Sequence, residues 1–584
     1  MKRIIALMLM LVLALGLMAG CGKDKNKDDA GNTGVSGDII NKADVSFVVD
    51  GASNYRIVRP EGDTDATQSA QFVFQQMKKA LGVSVRNVSD TEDGADTYEI
   101  LIGNTNREES KKAAEYLKAK TGGRYDDYIV CTIGKKICIY SSSAEGTKAA
   151  AEYFITNFCK PEGIKGGIEY VKATDGNFEN ITVNGKTIGE YTIVRPHYNS
   201  SWLTEVEIEE VIESVYTKTG YKLSFVHDTL STPADYEIIV GNTNREGVEA
   251  ITNYDDYKIT ISGKKIYING GSAHATAIAV SEFGKMLKGD LKDSSSVSGN
   301  YETTFANYDK STEFYKTWGD DFDGDALDTT KWRQQTETNR TAGQNGKISV
   351  RSSDPDRVFQ TDGKFYITAG FDDEYYYGGM IRTQGIMTYK YGYAEMSALL
   401  PHGGGMWIAW WACTSDSNSP ITGEPKLVGP EIDIVEMFGN SGSYAANCHT
   451  WPSTLGKEAG IEHYSLDGKF SNQKKYNIPD AGARLADGFH TYGFLWDNTQ
   501  MSFTCDGDLF FKYDITGVNE EKDVECFNQS LYFIFSMATA FESGSSLADE
   551  TSDDWNTTNI LACDWMNIYQ KDDGMSELNW SGAN

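Results

Sequence analysis

The run Glu431-Ile-Asp-Ile-Val-Glu436 sets three carboxylates among residues that are otherwise Ile and Val and read as a buried strand. Burying a charge costs on the order of several kcal/mol unless the charge is paired or used in chemistry. A salt-bridge cluster at a sheet edge would satisfy that condition, but no Lys or Arg lies inside the run to complete it. Alternate side chains of a strand share a face, so Glu431 and Asp433 fall together and Glu436 falls opposite. A one-residue bulge after Asp433 corrects the phase and brings Glu436 back beside them. Two glutamates leaning together over a sugar ring can approach the roughly 5 to 5.5 Å separation of retaining glycoside hydrolysis, in which one attacks the anomeric carbon and the other protonates the departing oxygen. Asp433, lying between them, can hydrogen-bond the nucleophile while its charge helps keep Glu436 protonated before the first step.

Elements upstream must hold that strand in place. Tyr389 to Pro401 reads as a strand, and Gly403-Gly-Gly-Met-Trp-Ile-Ala-Trp-Trp411 follows it as a glycine turn into a Trp-rich strand. Trp407 and Trp411 then share a face, and their flat rings are platforms for the apolar faces of sugars. A core role is the commoner fate of Trp, yet three in five residues is more than a sandwich interior easily packs.

Further landmarks occur in a fixed order. Trp318-Gly-Asp-Asp-Phe-Asp-Gly324 with Trp332, Gly379-Met-Ile-Arg-Thr383 and Tyr391-Gly-Tyr-Ala-Glu395 precede the Trp and carboxylate strands. Phe489-His-Thr-Tyr-Gly-Phe-Leu-Trp496, Cys505-Asp-Gly507 and Asp564-Trp-Met-Asn-Ile-Tyr-Gln570 follow them. From about Thr317 to Gln570 the chain resembles glycoside hydrolase family 16, the laminarinase-like enzymes that cut β-linked glucans and galactans. The resemblance implies a concanavalin-like jelly-roll sandwich of two antiparallel sheets with a cleft on its concave face. Strand-like runs and frequent Gly and Asn turns between 340 and 570 agree independently.

The same resemblance implies that Glu431 is the nucleophile, Asp433 its assistant and Glu436 the acid/base, with Trp407 and Trp411 at sugar-stacking positions. It places Arg382 near the cleft, although an ordinary surface salt bridge suits that residue equally. His449, in Asn447-Cys-His-Thr-Trp451 on the next strand, can reach the cleft beside Glu436 or serve as a satisfied structural histidine. The family's usual W-P-A-F-W reads Trp407-Ile-Ala-Trp-Trp411 here, and its late Gly-Gly strand reads Phe533 to Phe541. These departures leave subsite shape and substrate open. The chemistry requires no cofactor. A structural calcium is frequent in the family, and Asp321 and Asp564 match plausible ligands; calcium takes six to eight oxygens, and solvated surface carboxylates are the competing reading.

At the N-terminus, Lys2 and Arg3 precede the apolar run Ile4 to Met18, which Ala19-Gly20-Cys21 ends. This pattern predicts a lipoprotein signal over 1–20 and lipidation of Cys21. Each buried CH₂ contributes roughly 0.8 kcal/mol, so two or more acyl chains hold a protein stably on a membrane. Residues 21–40 form a polar tether too hydrophilic to fold alone. The expected location is the outer face of a bacterial membrane.

A length of 584 residues implies several domains, and the net charge of -30 disfavours nucleic acid while suiting a neutral polysaccharide. The cysteines after Cys21 lack C-x-x-C spacing, which disfavours metal ligation. Cys448 and His449 are strand neighbours pointing to opposite faces, so they form no catalytic dyad.

Between tether and C-terminal region lies an internal repeat. Tyr55-Arg-Ile-Val-Arg-Pro60 returns as Tyr191-Thr-Ile-Val-Arg-Pro196, and Tyr98-Glu-Ile-Leu-Ile-Gly-Asn-Thr-Asn-Arg-Glu108 as Tyr236-Glu-Ile-Ile-Val-Gly-Asn-Thr-Asn-Arg-Glu246. Gly134-Lys-Lys-Ile-Cys-Ile139 returns as Gly263-Lys-Lys-Ile-Tyr-Ile268. Each copy reads as an α/β module with an amphipathic helix (near 67 to 81, and 204 to 219) and a closing Ala-rich helix (144 to 158, and 273 to 287). The first copy has room for a further helix after its G-N-T-N-R-E run, whereas the shortened second copy predicts its loss. Each module is similar to the noncatalytic α/β domain that precedes the catalytic domain in some glucuronidases and hexosaminidases. Arg107 and Arg245 offer ligand contacts, but the run also has what a tight strand-to-helix turn requires.

The expected organisation is thus a leader (1–20), a tether (21–40), α/β modules over 41–178 and 179–300, a C-terminal all-β jelly roll over 310–572 and a tail (573–584). The expected function is a monomeric, membrane-tethered, endo-acting retaining β-glycanase acting on a β-1,3- or mixed β-1,3/1,4-glucan. An agarase- or carrageenase-like galactanase, a transglycosylase and a noncatalytic glycan-capturing lipoprotein are the alternatives.

Overall fold

Apolar residues alternate along the strands after residue 340, and two sheets share the core that this alternation creates. In the computed structural model, which describes residues 39–94, 97–306, 308–334, 341–342, 344–414, 427–439, 442–465, 474–516, 527–539 and 559–583, these sheets form a β-sandwich. The predicted leader, Cys21 and most of the tether lie outside the described residues. Among the described residues no helix is long and apolar enough to cross a membrane.

The front sheet runs in the order Thr341–Ala342, Ile348–Ser352, Tyr375–Arg382, Tyr532–Thr539, Met406–Cys413, Val428–Phe438, Ser443–Pro452, Tyr464–Ser465. The back sheet runs Val358–Thr361, Lys364–Thr368, Ile560–Gln570, Gly392–Leu399, His490–Trp496, Gln500–Cys505, Asp508–Asp514. Pairing is antiparallel apart from Ile348–Ser352 beside Tyr375–Arg382. Ile408, Trp410, Ile432, Val435, Cys448 and Phe535 of the front sheet meet Ala394, Met396, Phe494, Phe503 and Ile568 of the back sheet in one core.

The described chain forms two compact units. One holds the described residues up to Glu190 with Ile212–Leu223 and Lys288–Asp290; the other holds Tyr191–Val211, Ser224–Leu287 and the chain from Leu291 onward. Most of the second α/β segment therefore folds in one unit with the sandwich.

The first unit contains a six-stranded sheet, Arg86–Ser89, Tyr55–Arg59, Tyr98–Ile102, Lys136–Ser141, Tyr128–Ile133, Glu169–Lys172, whose first four strands are parallel. Helices Thr64–Leu81 and Ala144–Phe158 cover one face through Val73, Met77 and Phe154, and helix Glu108–Thr121 covers the other through Ala113 and Leu117. Coverage on both faces explains why Ile100, Leu101 and Ile102 are consecutive and all buried.

A sheet of the same strand order, Ser224–His227, Thr192–Arg195, Glu237–Val240, Lys265–Gly270, Asp256–Ser262, Val297–Asn300, lies in the second α/β segment. Its helices are Trp202–Thr219 and Ala273–Met286, and residues 247–253 form a loop where the first copy has its extra helix.

The repeated motif is a buried ionic hub. Glu99 receives Arg56 at 2.6 Å, Lys136 at 2.8 Å and Arg107 at 3.1 Å. Burial works to raise its carboxyl, but these cations outweigh it and hold the group down to about 2. Glu237 repeats the arrangement with Lys265 at 2.6 Å and Arg245 at 3.2 Å. Asp90 and Asp228 accept the backbone N–H of Asn106 and Asn244 at 2.7 and 2.8 Å, which closes each G-N-T-N-R-E turn. Arg107 and Arg245 are therefore spent on the turn itself.

Residues of the second α/β segment cover the back sheet. Ser201 Oγ donates to Glu395 Oε2 at 2.7 Å, Ser397 Oγ donates to Asn199 Oδ1 at 2.9 Å, and Arg195 Nη2 meets Asp508 Oδ1 at 2.8 Å. Tyr393, Glu395 and Ser397, which alternate with the core residues Ala394, Met396 and Ala398, are consequently buried as well.

Candidate active site

The outward face of the front sheet is the face that carries the carboxylates, and strand register builds it row by row. Arg382, Ile534, Trp411, Asp433 and Asn447 stand opposite one another across five strands. The next row in one direction is Tyr532, Cys413, Glu431 and His449, and in the other Met380, Ser536, Ala409, Glu436 and Ala445. Beyond Glu436, Trp407 pairs with Phe438, their rings 5.2 Å apart. Cross-strand partners project to the same side, so Glu431, Asp433, Glu436, Trp407 and Trp411 share one surface.

A bulge makes this sharing possible. Trp411 is opposite Asp433 and Trp410 is opposite Val435, which leaves Ile434 as the extra residue. On the other side, Asp433 pairs with Asn447 and Glu436 with Ala445, so that Ile434 and Val435 stand against Ala446 alone. Ile434 and Val435 both enter the core, and Glu436 returns to the outward face. Burying two consecutive apolar residues offsets the broken ladder.

The electrostatics are uneven. Burial, then the charge of Asp433, pushes the Glu431 carboxyl up to about 7, while His449 and a hydrogen bond from Trp451 pull it down. Asp433 Oδ2 lies 3.2 Å from His449 Nε2. Burial pushes the neighbouring Cys413 thiol up to about 12, so it is no thiolate nucleophile at neutral pH. Trp411 Nε1 donates to Ser536 Oγ at 3.2 Å, which fixes its ring half-buried in the surface.

Two placements differ from the sequence reading. His449 stands beside Glu431 and Asp433, not Glu436, because antiparallel register puts Ala445 opposite Glu436. Trp410 turns into the core at 1% exposure, so the sandwich interior does take one of the three tryptophans. The rows also bring in Cys413, Asn447, Tyr532 and Ser536, which the sequence reading did not single out. Parity along their strands would have found Cys413 and Asn447, but Tyr532 and Ser536 reach the site only through sheet order.

Residues 329–557 match the family model described as Glycosyl hydrolases family 16, inside the region expected from the sequence. Residues 329–557 thus form a segment similar to the family 16 glycosyl hydrolases. The chain is 25% identical over 287 residues to Glucan endo-1,3-beta-glucosidase A1 of Niallia circulans, covering 44% of this chain and 37% of that protein. It is 28% identical over 171 residues to Endo-1,3-1,4-beta-glycanase ExsH of Rhizobium meliloti (strain 1021), covering 29% of each. Among solved structures it is similar to a laminarinase from Flavobacterium sp. UMI-01, at 24% identity and a TM-score of 0.32 over 44% of this chain and 100% of that one. The chain spans 29 to 37% of the length of the curated relatives it matches.

Calcium was the one ion that the sequence suggested for the family 16-like domain, through Asp321 and Asp564. Both residues line a cavity of about 360 Å³ beside Tyr254 and Trp565. The Asp564 carboxylate lies 3.3 Å from Lys364 Nζ, a cation where a calcium cage needs oxygen. Among the described residues neither aspartate belongs to a group of three acidic, His or Cys ligands. These two carboxylates by themselves do not make up the six to eight oxygens of a calcium cage.

Proposed function

We propose that the family 16-like domain cleaves a β-1,3- or mixed β-1,3/1,4-glucan within the chain and with retention of configuration. The observation that carries this reading is the bulge at Ile434, which sets Glu431, Asp433 and Glu436 on one open face with Trp407 and Trp411. Glu431 attacks the anomeric carbon as the glycosidic C–O bond breaks, and Glu436 gives its proton to the departing oxygen. Glu436 then takes a proton from water, which displaces Glu431 from the sugar. Asp433 orients Glu431 between these steps, and the two tryptophans hold sugar rings over the carboxylates. The relatives' names, a glucan endo-1,3-beta-glucosidase and an endo-1,3-1,4-beta-glycanase, support a β-glucan as substrate.

The whole protein, on this reading, is a monomeric lipoprotein held by Cys21 on the outer face of a bacterial membrane, with a neutral polysaccharide as its partner. The two α/β segments are copies of one module, as their common strand order and glutamate hubs support. Reducing-end release from laminarin, lichenan, agarose and carrageenan tests the assignment, with Glu431→Gln as control. Release from laminarin or lichenan by the wild type alone is expected. Release from a galactan only, or equal release by the variant, would overturn it.

A further inference from the structure

Beside the carboxylates three rings form a stack that the reaction as described leaves unused. His449 and Trp451 are two residues apart on the strand Ser443–Pro452 and project to the same side. His463 arrives from the segment before the edge strand Tyr464–Ser465, which pairs with Thr450 and His449. Its ring lies 3.9 Å from that of Trp451 with an interplanar angle of 17°, and 5.2 Å from that of His449 at 11°. Trp451 is 47% exposed, so a large ring stays at the surface while covering one face of His463.

The hydrogen bonds give the stack a direction. His463 Nε2 is 3.1 Å from His449 Nδ1, and His449 Nε2 is 3.2 Å from Asp433 Oδ2. Asn447 Nδ2 also lies 2.8 Å from His449 Nε2. When His449 carries both protons, Nδ1–H donates to His463 and Nε2–H donates to Asp433; when it is neutral, Nε2 accepts from Asn447. In both of these states Nδ1 carries a proton, which the neutral, Nδ1-protonated tautomer of His463 can accept at Nε2. Among the described residues, the titratable groups facing His449 include Asp433 and Glu431 from the carboxylate strand and His463 from the edge segment.

We propose that His463 is a positioning residue of the carboxylate site, acting through His449 on Asp433, with Trp451 holding its ring in plane. A metal-bound histidine is oriented in the same way by the group on its far nitrogen; here the oriented partner is a carboxylate. The role in catalysis rests on the proposed glycanase reading, whereas the coupling of the two rings does not. The protonated His449 also pulls the Glu431 carboxyl down, so weakening it leaves Glu431 protonated to higher pH.

The test uses the full chain with ¹⁵N-labelled histidine, the His449 signals being assigned with His449→Gln. His463→Phe keeps a ring stacked on Trp451 but removes the acceptor, and His463→Gln returns an acceptor oxygen. The expected result is a lower His449 titration midpoint in His463→Phe and recovery in His463→Gln. With substrate, the acidic limb of kcat/KM moves up by about one pH unit in His463→Phe, a roughly tenfold loss below the limb, with little change in KM. An unchanged His449 titration in a folded His463→Phe would overturn the inference, as would an unchanged acidic limb in an enzyme that cleaves glucan. A wild type that cleaves no glucan while His449 shifts in the variant would instead sink the proposed function and leave the coupling standing.

Discussion

Trp411 and Asp433 face each other across two antiparallel strands, and the next pair is Trp410 with Val435, so Ile434 stands without an opposite residue. Taking up Ile434 as a bulge returns Glu436 to the face of Asp433, whereas unbroken alternation through Ile434 would turn it inward. Inserting one alanine between Val435 and Glu436 should keep the bulge but shift the phase after it and turn Glu436 into the core. The expected outcome is loss of hydrolysis together with destabilisation of about 3 kcal/mol or more, from an uncompensated buried charge. Ile434→Ala keeps the bulge and should cost about 2 to 5 kcal/mol while retaining activity. Chemical denaturation and product release on both variants separate register from packing.

Glu431→Gln and Glu436→Gln should each lower kcat by about a thousandfold or more while unfolding at nearly the wild-type temperature, since both side chains sit on the open face. Near-wild-type turnover in either variant would remove that residue from the mechanism.

The pH profile follows from Glu431. A nucleophile must be ionised, and burial and Asp433 hold this carboxyl near 7, so activity should fall as pH drops below about 7. Asp433→Asn removes the like charge and should lower the Glu431 value, moving the acidic limb downward even as kcat itself falls. An acidic limb that stays in place in Asp433→Asn would show that the limb belongs to another group.

Adjacent tryptophans should behave differently. Trp410→Ala empties a core position and should cost about 3 to 5 kcal/mol of stability. Trp411→Ala should instead raise KM, because its half-buried ring lies on the carboxylate face. Thermal unfolding and steady-state kinetics on the pair check this division.

Glu395 makes the back of the sandwich sensitive to pH. Burial raises its carboxyl to about 7 against the hydrogen bonds from Ser201 and Tyr393. The folded value lies above the unfolded one, near 4.5, so the group's contribution is complete below about 4.5 and is lost as pH rises through 7. Each unit of difference corresponds to about 1.4 kcal/mol, so the total is on the order of 3 kcal/mol. Melting temperatures between pH 5 and 8 should fall less in Glu395→Gln than in the wild type; equal slopes would remove Glu395 as the cause.

Local periodicity made much of the chain legible. Alternation along 431–436 exposed the need for a bulge, because carboxylates in phase with a core are too costly to leave there. Spacing alone located the helix missing from the second α/β segment, since seven residues between two matched motifs cannot hold one and its turns. His449 was found but set against the wrong glutamate, because the register between neighbouring strands depends on the bulge and on sheet-wide packing.

By itself the sequence determined the chemistry available: which carboxylates, which rings, which repeated hub. These are properties of short runs, where the backbone period of a strand or helix dictates the face of each side chain. Tertiary structure alone decided that His463 meets His449, that Tyr532 and Ser536 join the site, and that Ser201 buries Glu395 from 194 residues away. Contacts between residues so far apart leave no local period behind, because sheet order and the docking of one layer on another decide them.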